Sequence, residues 1–113
     1  MSIYTDIESA LSTLSLPMAA SAFRAADGTL PDLFLVYTLV AATPEQHADN
    51  GETARRHLVQ VSVYSRSGLG NLPDVIGAMQ AAGFVFSRAT ELPFDEQTGF
   101  YGLALDFVLT VEV

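Results

Sequence analysis

The sequence predicts an α+β domain, with two helices on one face of a mainly antiparallel sheet of about five strands, in the order α-β-β-β-α-β-β. Three observations carry that expectation. Apolar residues recur at helical spacing in two stretches, 7–14 and 72–79. Five other runs have strand character, and the last of them alternates without a break from Tyr101 to Val113. Finally, 113 residues, half of them hydrophobic, make up one domain's core and leave no room for a second, so residues 1–113 are read as a single domain.

The first helix opens on Thr5-Asp6-Ile7-Glu8, which has the form of a capping box with Thr5 as the cap and Glu8 reaching back. Ile7, Ala10, Leu11 and Leu14 give it one apolar face. Leu16-Pro17 ends it, because a residue before proline is pushed away from helical dihedrals. Residues 18–24 read as a first strand, closed by the turn-like Ala26-Asp27-Gly28-Thr29. Residues 33–42 are apolar at both odd and even positions, the pattern of a strand covered on both sides. A chain this small has little material to cover both faces of a sheet, which points toward a partner subunit.

A polar loop of about ten residues is expected over 43–53, with His47, Asp49, Asn50 and Gly51 inside it. Its Asn-Gly pair tolerates positive φ and is a hairpin signal. Residues 56–65 then alternate cleanly, with Val59, Val61 and Val63 on one face and Leu58, Gln60, Ser62 and Tyr64 on the other. After a connector at 65–70, Asn71 is placed to cap the second helix, with Pro73 in its first turn. Leu72, Val75, Ile76 and Met79 form its buried stripe, and Gly83 is placed to end it in a left-handed conformation. Two closing strands, 84–91 and 100–113, are joined by a loop through Asp95-Glu96-Gln97-Thr98-Gly99.

Composition removes whole classes of chemistry. All five basic residues are arginines, so Schiff-base and Walker-type lysine chemistry are absent. Without cysteine there are no disulfides, thiolate metal sites or thiol nucleophiles. The net charge of −8 is spread evenly over the two halves, and no basic stripe exists to neutralise phosphates. Asp6 and Glu8 near the start, with no early arginine, are the reverse of a targeting peptide. The longest apolar stretch, 33–42, is far shorter than the ~20 residues a membrane helix needs. A soluble protein without membrane association is the expectation.

Three small constellations invite a chemical reading. Gly68-Leu69-Gly70 lies between a strand and a helix as a dinucleotide loop would, but Pro73 stands where the third glycine belongs. His47 and His57 are about ten residues apart rather than the three to five of a local metal pair. No G-x-S-x-G elbow occurs, and Asp95-Glu96 reads as a solvated turn. No catalytic, cofactor-binding or metal-binding residue is expected.

The order of the pieces carries a resemblance. A short N-terminal helix leads into Leu16-Pro17 and a strand ending at Phe23. Leu30-Pro31-Asp32 precedes the strand bearing Tyr37, and the pair Asp49-Asn50 sits in the following loop. Then come Leu58-Val59-Gln60-Val61-Ser62-Val63-Tyr64-Ser65, a helix closing on Ala82-Gly83-Phe84, and a final hairpin. In this layout the chain resembles, nearly end to end, the small tail-terminator (tail-completion) proteins of long-tailed bacteriophages. It departs from them at Arg66-Ser67-Gly68-Leu69-Gly70, where members usually carry charged, often lysine-bearing residues. It departs again at Gly51-Glu52, where an aromatic often follows the Asp-Asn pair.

The resemblance implies a structural virion protein in the tail or neck, assembled in the bacterial host cytoplasm. Such a protein forms a ring, expected to be a hexamer, that caps the tail tube and offers a surface to the head connector. Its partners would be further copies of itself, the major tail tube protein and the head–tail connector or stopper, with genomic DNA passing through the lumen unbound. In such a ring, Asp49, Glu52, Asp95 and Glu96 are candidates to line the lumen or an interface, where carboxylates repel phosphates. Two alternatives stay open: another neck protein (head completion or stopper), or a cytoplasmic ligand-binding α+β domain using the Gly68–Gly70 loop.

Overall fold

A computed structural model describes residues 3–22, 30–46 and 52–112. In chain order these form α1 (Ile3–Leu11), a 3-10 turn (Ser12–Leu14), β1 (Met18–Ala20), β2 (Leu33–Gln46), β3 (Glu52–Ser65), α2 (Val75–Ala81), β4 (Val85–Asp95) and β5 (Phe100–Glu112). The α+β class and the α-β-β-β-α-β-β succession are as expected. The five strands make one sheet in the order β1-β2-β3-β5-β4. Every neighbouring pair is antiparallel except β1, which runs parallel to β2 through Met18↔Leu35, Ala19↔Val36 and Ala20↔Tyr37.

The helices pack on one face because the odd-numbered residues of the central strands are apolar. Leu35 and Tyr37 of β2, Val59, Val61 and Val63 of β3, and Leu105 and Phe107 of β5 meet Ile7, Leu11, Val75 and Met79 in one cluster. The helix α1 begins earlier than the capping-box reading, at Ile3, so Thr5 lies inside it. Glu8 does not reach back to the backbone. Its carboxylate accepts a hydrogen bond from the Tyr37 hydroxyl, and this tertiary contact takes the place of the local one. The 3-10 turn then tightens the end of the helix, and Ser15 closes it at φ 55 with its N–H on the Ser12 carbonyl, 3.2 Å away.

Strand β1 stops after three residues instead of running to 24. Ser21, at φ 63, leaves strand conformation while donating its N–H to the Tyr37 carbonyl at 2.8 Å. Phe23 and the predicted turn at 26–29 lie outside the described residues. The expected ten-residue loop is the larger correction. Thr43, Pro44, Glu45 and Gln46 pair with Arg56, Arg55, Ala54 and Glu52, so most of that polar segment is ladder, and 47–51 lie outside the described residues. Thr43 and Pro44 are exposed, so this stretch has no apolar alternation for a sequence pattern to register.

Helix α2 is capped by Asp74, not Asn71: the Asp74 carboxylate accepts from Gly77 N–H at 2.9 Å. Of its stripe, Val75 and Met79 are fully buried, while Leu72 and Ile76 pack half-buried against the same cluster. Gly83 adopts φ 97 as anticipated, and the chain folds back with Phe84 N–H on the Met79 carbonyl at 3.1 Å. The molecule measures 52 × 26 × 24 Å with a radius of gyration of 15.5 Å. A compact chain of this length would have one of roughly 13 Å. The excess reflects the β2–β3 arm, with β5 beside it as far as Ala54↔Glu112.

Candidate functional site

The sheet face opposite the helices is built from the even-numbered residues of β3 and β5 and their neighbours in register. At the end near the β4–β5 turn it is aromatic. Phe34 stacks on Tyr64 with centroids 5.2 Å apart, and Phe100 meets Phe34 edge-on at 5.2 Å. The Arg66 guanidinium lies 4.5 Å from the centre of the Phe100 ring and is held there by Asp32, at 2.9 Å. Gly102 forms the floor: a Cβ there would stand 2.9 Å from Leu92 Cδ1 and 3.2 Å from Tyr64 Cε1, so a larger residue would make both neighbours shift. A groove of about 330 Å³ runs beside the patch, between Ser21, Ala22 and Leu30 on one side and Pro93, Asp95 and Thr98 on the other.

The middle of this face is polar. Asp106 accepts from Gln60 Nε2 and from Arg88 Nε, each at 3.0 Å. Beyond it, toward the arm, Ala41, Leu58 and Val108 floor a smaller groove rimmed by Arg56 and Thr43. The surface therefore reads aromatic, ionic, aliphatic along the strands. None of its side chains forms a nucleophile–base pair.

The acids singled out in the sequence are divided by the fold. Asp49 lies outside the described residues, and Glu52 opens β3 opposite Gln46, next to the hairpin tip. Asp95 ends β4 opposite Phe100, with Glu96 beside it in the turn. The strand β3 runs from Glu52 at one end of the sheet to Ser65, opposite Tyr101, at the other. Within one chain, then, Asp95 and Glu96 are adjacent and Glu52 is remote from them. Asp95 also serves its own turn: Oδ1 accepts from the N–H groups of Gln97 and Thr98, which holds its carboxyl below the usual range.

His47 lies outside the described residues, and His57 is half-buried on β3 with Nδ1 buried and unpartnered. The Gly68–Gly70 connector borders neither groove. The N-terminus of α2 that follows it is occupied by the Asp74 carboxylate, where a phosphate would have to sit. Among the described residues no three His, Asp or Glu side chains cluster to hold a metal, and no helix is long and apolar enough to cross a membrane.

No protein-family model matches the chain, and no curated protein matches it.

The aromatic cluster was not anticipated from sequence, and neither were the Gln60–Asp106–Arg88 link and the Tyr37–Glu8 contact. A signal for the first two existed. Gln60 and Tyr64 on β3, and Phe100 and Asp106 on β5, share the parity opposite to the core valines. The contact between Tyr37 and Glu8, 29 residues apart, left none.

Proposed function

We propose that this chain is a structural virion protein of a tailed bacteriophage or prophage, forming a hexameric ring that terminates the tail tube and joins it to the head connector. One observation supports this reading above the others: a layer of helices covers one face of the sheet, and the other face presents aromatic and aliphatic patches on either side of the Arg88–Asp106 ion pair. A two-layer domain with such a surface is suited to being one part of an assembly. In this reading the chain carries no catalytic residue, cofactor or metal. Its partners are further copies of itself, the tube protein and the connector or stopper. Asp49, Glu52, Asp95 and Glu96 serve as lumen or interface carboxylates, past which genomic DNA moves unbound.

The test is assembly and capping. Light scattering and negative-stain microscopy of the purified protein are expected to give rings of uniform size, and tube subunits polymerised in its presence are expected to stop growing. A monomer at every concentration, with tube lengths unchanged, would sink the proposal.

A further inference from the structure

We propose that the end of the β4–β5 hairpin binds an arginine side chain presented by another protein. This surface is independent of the ring reading. Phe94 and Tyr101 stand 47 % and 40 % exposed there, with their ring centroids 4.6 Å apart. Tyr101 shares the parity of the core residues Leu105 and Phe107, so the pair belongs to the helix side of the sheet, and it lines neither groove of the other face. Glu91 shares that side. It pairs with Leu103, two residues along from Tyr101. Diagonal neighbours in a ladder are about 7–8 Å apart, within reach of long and aromatic side chains. Glu96 follows in the turn. Both glutamates are exposed, and neither has an ion-pair partner among the described residues.

An aromatic ring attracts a cation through the negative potential of its face. A guanidinium lies flat on such a ring while its fork of N–H groups reaches a carboxylate. The chain already builds this arrangement once within itself: Arg66 lies 4.5 Å from the centre of Phe100 and pairs with Asp32 at 2.9 Å. The hairpin end has the same two ingredients, ring and carboxylate, without the arginine. Two arginines of this chain come near it in the sheet, and both are committed elsewhere. Arg66, next to Ser65 and hence to Tyr101, holds Asp32, and Arg88, three residues before Glu91, holds Asp106.

The exposure of the rings decides what kind of ligand fits. A small free cation on them would stay mostly in water, so the arginine has to arrive on a surface large enough to cover the rings as it docks. Tyrosine and arginine are the residue types that anchor such contacts. A lysine is a poorer match, because its ammonium is compact and strongly hydrated. The net charge of −8 draws a cationic partner in and turns an acidic one away. A cross-strand aromatic pair also steadies its own hairpin, but that role alone calls for no ligand.

The test is a titration of isotope-labelled protein, followed through its backbone amide shifts. The probe is a capped glycine–serine peptide bearing arginines, compared with the same peptide bearing lysines. The arginine peptide is expected to move the amides of 91–102 and to bind more tightly than the lysine peptide. Phe94→Ser with Tyr101→Ser leaves the net charge unchanged. It is expected to weaken the arginine peptide about fivefold, the scale of an exposed cation–π contact, and to erase its advantage over lysine. Urea melts check that this variant is folded. If it is not, Glu91→Gln replaces it and is expected to weaken the arginine peptide about twofold, the scale of an exposed ion pair. Equal binding of the two peptides, shifts centred elsewhere, or a folded variant that binds as wild type does would overturn the proposal. So would shifts at 91–102 that appear when wild-type protein alone is concentrated and vanish in Arg56→Gln, because they would give the site to a second copy of this chain.

Discussion

Tyr37 ties the first helix to the sheet through a single hydroxyl. Its ring is 2 % exposed, lies 6.0 Å from that of Tyr4, and its O–H donates to Glu8. Burial, and then the hydrogen bond and negative charge of Glu8, push the Tyr37 phenol up to about 12. In the unfolded chain it ionises near its ordinary value of 10. The contribution is therefore complete below pH 10 and is lost as pH rises from 10 through 12, because only the unfolded state releases the proton in that window. A shift of this size corresponds to about 2–3 kcal/mol. Urea melts across that window are expected to show wild type losing more stability than Tyr37→Phe. Equal alkaline slopes would mean that the buried phenol ionises as freely as an exposed one.

At the scale of an element, α2 shows how burial ranks positions that periodicity treats as equal. Met79 is fully buried and Ile76 only partly, although both belong to the same stripe. Met79→Ala is expected to cost about 2–5 kcal/mol, and Ile76→Ala less than half as much as Met79→Ala, in chemical-denaturant melts. The reverse order would mean that α2 is rotated about its axis. The stripe itself was legible in the sequence, as were β3 and β5, because a core on one side forces periods of 3.6 and 2. What went unread has a different cause in each place. Asn71 and Asp74 both precede the stripe with Pro73 between them, and only the placement of Gly77 N–H settles that Asp74 is the cap. The ladder from Thr43 to Gln46 is polar and carries no apolar alternation, so it looked like loop. The aromatic surface depends on which residues β2, β3 and β5 place side by side, and strand order is not a property of any one segment. Among the candidate acids, Asp95 and Glu96 were adjacent in sequence and stayed so; their separation from Glu52 follows from β3 running the full length of the sheet.

For the whole molecule, the net charge of −8 sets the terms on which copies meet. The short dimensions of the chain are 26 and 24 Å, so copies lying side by side in a ring would hold their charges at about that spacing. Charges interact across ~30 Å at about 0.01 M salt but only ~8 Å at about 0.15 M. At low salt the copies repel as whole bodies, and with only five arginines the chain can offer few arginine–carboxylate contacts between copies, each worth up to about 1 kcal/mol, to offset this. Apolar contacts lose nothing on screening. Ring formation is therefore expected to strengthen as sodium chloride rises from about 0.01 to 0.15 M, read as the assembled fraction in light scattering at fixed protein concentration. Rings that loosen over this range would place ion pairs rather than apolar side chains at the centre of the contact. The same acidic excess acts on DNA, whose phosphates it repels where a basic surface would hold them through counterion release. An assembled ring is thus expected to retain no duplex DNA even at the lowest salt, the behaviour a channel for a moving genome requires.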